Sequence, residues 1–178
     1  MNYFILVFEM GTISKLLLNM LEHESNQTKF VLAAAKETDV NFSPKEELRP
    51  LIDLANHIAQ IPLIDFKFYS MEFKKFEEVQ AMENELRKES IDELLLVYDQ
   101  GIEKIKKFIS KLSDEQLLEN NLKVVLSLFY QNGHEKSWSH YIPEITTHLA
   151  MHKMQLWMYL KLSGAPVSMW TYYGVPQE

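Results

Sequence analysis

Apolar residues along this chain recur at helical spacing. From about Thr12 to Glu37, Leu16, Leu17, Met20, Leu21, Phe30, Val31 and Ala34 stand three, four or seven apart, which places them on one helix face. Asn41-Phe42-Ser43-Pro44 then breaks the pattern. It resumes from about Glu47 to Phe73, with Leu51, Leu54, Ala55, Ile58, Leu63 and Phe66 inward. Pro62 lies inside this second helix and lacks a backbone donor, so a kink or a split is expected there.

Residues 74–90 are charged and polar and read as a solvated helix tail or a mobile connection. Ser90 and Glu93 have capping-box spacing and start a third helix that runs to about Leu112. Its stripe is Leu94, Leu95, Tyr98, Ile102, Ile105 and Ile109. Ser113-Asp114-Glu115-Gln116 offers a further short capped turn. Val124 to Tyr130, followed by Gln131-Asn132-Gly133, is the least helical part; periodicity leaves a strand-like excursion and a crossing loop both open. A fourth helix spans about Ser139 to Leu162 and stops at Ser163-Gly164 before Pro166.

Four long helices within residues 1–178 fit a single domain, and a four-helix bundle is the simplest way to bury their stripes. The connection from Ser113 to Trp138 is too long for a hairpin. It is expected to cross an end or side of the bundle, where ligand contacts collect.

Composition agrees with an all-α fold: 47% of residues are apolar, while Gly (5) and Pro (6) are scarce. The formal charge is −7 and the Lys clusters alternate with Glu, so no basic stripe points to nucleic acid. The apolar run Tyr3 to Phe8 is short, is followed by Glu9, and lacks a basic leader and a cleavage site. No run approaches the ~18 apolar residues of a membrane span, which makes the cytoplasm the expected compartment. Cysteine is absent, so any bound metal must be held by nitrogen and oxygen.

Six histidines are present: His23, His57, His134, His140, His148 and His152. His148 and His152 stand four apart in the fourth helix, so both imidazoles can point at one spot. A third ligand must come from elsewhere, and His57 is the best candidate, flanked by Leu54, Ala55, Ile58 and Ile61. A buried imidazole at that place needs either a hydrogen-bond partner or a metal. Six histidines in 178 positions produce such a pair by chance in roughly one sequence in six, so the spacing leaves both readings open. His23 reads as structural or surface, and His134 and His140 as loop histidines that can line a pocket mouth. Asp53 and Glu144, each one turn before a candidate ligand, are candidates to orient an imidazole. Gln155 is read as packing or hydrogen-bonding between helices, and the Met and aromatic residues of the last helix and tail as core or interface.

The segment from His148 to Gly164, with His152, Gln155, Leu156, Tyr159, Leu160 and Lys161, resembles the last helix of the DinB/YfiT-like family, whose pattern is close to HxxHHRGQLxxYLRxxG. Tyr173-Gly174 resembles the family's ending, and Leu54-Ala55-Asn56-His57-Ile58 its earlier LxxHI signature. The motif matches are confined to two helices. The family's His-His pair is Met151-His152 here, its Arg is Lys153 and its Gly is Met154. Lys153 keeps the charge without the planar fork.

This resemblance implies an up-up-down-down four-helix bundle. It also implies one divalent metal ion, nickel or zinc foremost, on His57, His148 and His152. Three neutral histidines leave coordination positions open for water or substrate. The implied function is a metal-dependent thiol-transferase or hydrolase acting on a small electrophilic substrate, with a low-molecular-weight thiol as partner; a homodimer is expected from the Met and aromatic residues of the last helix and tail. The alternative is a non-catalytic helical module, or a dimeric binding protein, with buried histidines.

Overall fold

The computed structural model describes residues 10–122 and 135–176. The apolar run at residues 3–8, the weakly helical stretch 124–130, the turn 131–133 and His134 lie outside them. Among the described residues the protein is all-α. Helices α1 (Thr12–Ala33), α2 (Leu51–Tyr69), α4 (Ile91–Ile109) and α6 (Trp138–Leu162) form the bundle. Three shorter ones, α3 (Phe76–Leu86), α5 (Asp114–Leu118) and α7 (Met169–Tyr172), complete it.

Local chemistry sets the helix ends. Pro50 pushes Arg49 out of helical geometry, and Leu51 and Ile52 donate back to the carbonyls of Phe42 and Val40. That is why α2 starts at Leu51 rather than near Glu47. It stops at Tyr69, short of Phe73, because Met71 turns left-handed at φ 59° and Glu72 N–H closes onto the Lys67 carbonyl. The Ser90–Glu93 cap and the reciprocal Ser113–Gln116 capping box form as the sequence predicts. Gly164, at φ 84°, ends α6 in a Schellman turn, with Ala165 N–H on the Leu160 carbonyl.

The inward positions read from α2 and α4 are buried, with Leu95 half-buried. On α1 the buried face is Leu17, Leu21, Val31 and Leu32, whereas Leu16 and Met20 are exposed. Pro62 does not split α2. It sits where Gly101 of α4 comes close, and a Cβ on Gly101 would stand 2.7 Å from the Pro62 Cβ.

Helix directions differ from the up-up-down-down order. Contacts of α1 with α4 run oppositely, from Ser14 on Leu112 through Glu22 on Lys106 and Lys29 on Asp99 to Lys36 on Asp92. Contacts beside α2 rise together along the chain, from Asn56 on Lys88, just before α4, through Pro62 on Gly101 to Phe66 on Phe108. Against α6 they fall, from Arg49 on Tyr159 through His57 on His152 to Tyr69 on Glu144. The four long helices therefore run up, down, down and up. The cause is α3. Its residues, expected to be a solvated tail or connection, form a helix that returns along α2, with Val79 beside Ile64 and the Glu83 carbonyl accepting from Gln60. The chain thus re-enters the bundle at the end where α2 began.

Candidate metal centre

Because α2 and α6 run antiparallel, His57 faces His152 while Asp65, two turns later on α2, faces His148. One ring nitrogen from each of His57, His148 and His152 lies within 4.8 Å of the other two. The Nε2 atoms of His57 and His152 are 3.1 Å apart. Two nitrogens bonded to one divalent ion at ordinary lengths stand about 3.0–3.4 Å apart, so this separation suits shared ligation.

The rings are held from behind. His148 Nδ1 donates to Asp65 Oδ2 at 2.7 Å, and His152 Nδ1 donates to Gln155 Oε1 at 2.9 Å. With protons fixed on Nδ1, both rings keep Nε2 as a free lone pair, the orientation that metal-binding imidazoles use. Burial, then the neighbouring His152, His148 and Arg49, hold the His57 pKa down at about 3. Burial also lowers that of His152, against the opposing pull of Gln155. His57 is accordingly neutral at pH 7, and no proton has to leave it before it can coordinate.

Asp53 and Glu144 are engaged elsewhere. Asp53 pairs with Arg87; Glu144 accepts from the Tyr69 hydroxyl at 3.1 Å and lies 2.6 Å from His140 Nε2. The orienting residues are Asp65 and Gln155. Asp65 carried no sequence signal, since it lies eight positions beyond His57 and meets the site only through helix packing. His23 contacts Gln27 on α1 rather than the triad. His140 opens α6 and lines the cleft.

That cleft, of about 850 Å³, lies between α2, α3 and α6, with His57 and His148 in its wall. Its volume falls in the range of small-molecule sites. Much of the wall is apolar and aromatic, including Ile64, Phe68, Phe76 and Met151.

No family model and no curated protein matches the sequence. Among solved structures, the chain is similar to one from Exiguobacterium sibiricum 255-15 described as "a putative member of the DinB family". The TM-score is 0.69 at 16% identity, over 90% of this chain and 97% of that one. The fold is the DinB fold. At that identity the likeness speaks for architecture alone. Within this DinB fold, the convergence of residues from α2 and α6 is a property of the chain's own packing, and no helix of the described residues is long and apolar enough to cross a membrane.

Proposed function

We propose that this protein is a metal-dependent enzyme of the cytoplasm in which His57, His148 and His152 hold one divalent ion, nickel or zinc. The observation that carries the reading is the pair of backed imidazoles. Asp65 and Gln155 hold the Nδ1 protons of His148 and His152, so that Nε2 of each is left free, and His57 Nε2 stands 3.1 Å from His152 Nε2. Three nitrogen donors fit a borderline ion that keeps exchangeable positions. His57, His148 and His152 would hold such an ion, and it would supply activation of a thiol or a water molecule as nucleophile, the chemistry of a thiol-transferase or a hydrolase. The residues of the chain supply the rest: Asp65 and Gln155 fix tautomers, and the apolar cleft wall receives a small electrophilic substrate.

The test is elemental analysis of the purified protein, followed by nickel and zinc titration of metal-stripped protein. One equivalent is expected in the native chain and a large loss of affinity in His148→Ala. Unchanged stoichiometry in that variant removes the assignment. Should the native chain take up no ion, the 3.1 Å contact is a histidine–histidine hydrogen bond and the bundle is a non-catalytic module. A homodimer belongs to the same proposal, supported by Met154, Met158 and Leu162, which stand exposed at four-residue spacing on α6. Sedimentation across a concentration series decides it.

A further inference from the structure

Along α3, Phe76, Val79 and Glu83 stand three and four apart, and all three line the cleft. Gln60 Nε2 donates to the Glu83 carbonyl at 2.9 Å, which ties position 83 to α2 about one turn from His57. Three carboxylates line the cleft, and two of them are taken. Asp65 holds His148, and Glu144 holds His140 and the Tyr69 hydroxyl. Among the described residues the Glu83 carboxylate has neither a hydrogen-bond nor an ionic partner, and no Lys or Arg lines the cleft. Burial pushes the Glu83 carboxyl above the usual carboxylate range, the mark of a charge losing water without compensation.

A half-buried carboxylate in a cleft that Val79, Phe68 and Phe76 also line is costly alone and favourable against a cation. The faces of Phe68 and Phe76 favour the same sign of charge. We propose that the cleft binds a small amphiphilic organic cation, a protonated amine on an apolar body, with the ammonium on Glu83 and the body against Phe68, Phe76 and Val79. The inference goes beyond metal binding and does not require it.

The test uses the full chain, stripped of metal with a chelator, at pH 7 with three probes of one shape: 2-phenylethylamine, 2-phenylethanol and 3-phenylpropanoate. Calorimetric titration is expected to show the amine binding roughly tenfold or more tighter than the carboxylate, the size of one charge-assisted hydrogen bond. Glu83→Gln is expected to bring the amine down to the level of the alcohol while leaving the alcohol unchanged. Glu83→Asp should keep part of the preference, and Phe76→Ala should weaken amine and alcohol together. Equal or tighter binding of the carboxylate, an unchanged amine affinity in Glu83→Gln, or no amine binding at millimolar concentration each overturns the proposal. Metal content is measured on the untreated chain. A chain that takes up no metal and still selects the amine leaves this inference standing and removes only the metal reading.

Discussion

Asp65 accepts a 2.7 Å hydrogen bond from His148 Nδ1 across the interface of α2 and α6. A carboxylate in that position makes the imidazole a better donor at Nε2 and fixes its ring plane. Asp65→Asn keeps the shape and removes the charge. Its metal affinity is expected to fall roughly 10- to 100-fold, the usual effect of losing such a partner. Competition with a chromogenic chelator measures it, and an affinity equal to that of the native chain would show that Asp65 has no part in the site.

The metal-free protein should lose stability as pH falls below neutrality. The unfolded chain protonates residue 57 near pH 6.5, whereas the native pKa is about 3, and His152 is shifted the same way. Between those limits the unfolded state binds more protons, so stability rises with pH across the window and is fully present above about pH 6.5. From pH 7 to 4.5 His57 alone accounts for about 2–3 kcal/mol. Urea midpoints at the two pH values give the slope, which should flatten in His57→Ala.

Lys153 is 2% exposed, with Nζ 2.6 Å from Gln27 Oε1, 2.9 Å from Glu24 Oε1 and 4.3 Å from the centre of the Tyr172 ring. It joins α6 to α1 and α7 on the side chain's own charge rather than at the triad. Lys153→Ala leaves Glu24 largely buried with the Thr28 hydroxyl but no cation and should cost about 3–5 kcal/mol. The pair Lys153→Met with Glu24→Gln should recover much of that in thermal melts, with a coupling well outside additivity.

Asp114 caps a helix that lies a hundred residues earlier. Its Oδ1 accepts from the backbone N–H of Ile13 at 3.1 Å and of Ser14 at 3.3 Å, where Gly11 offers no side chain. A Cβ on Gly11 would stand 2.0 Å from that oxygen. Asp114→Ala should cost about 1 kcal/mol, the ordinary value of an N-cap. Gly11→Ala expels the same carboxylate, so the double variant should lose little more than the worse single one. Additive losses in denaturant unfolding would contradict the shared cap.

The triad was legible in part because a spacing of four is a local property: residues 148 and 152 share a helix face whatever surrounds them. The inward stripes of α2 and α4 and the caps at Ser90, Ser113 and Gly164 are local in the same way, and each formed where the residues dictate. The all-α class follows from the same periodicity, since 3.6-residue repeats cannot be buried as strands. Helix direction is not local. Residues 74–90 are polar enough to read as a connection, yet Val79 finds Ile64 and Phe73 and buries a small second core, which turns α3 back along α2. That return sets α4 parallel to α2, where the expected order has the second and third long helices antiparallel. Only the packing of α2 against α6 brings His57 to His152 and Asp65 to His148, because residues 83 or more positions apart meet through the sum of many apolar contacts, which no pair of positions encodes alone.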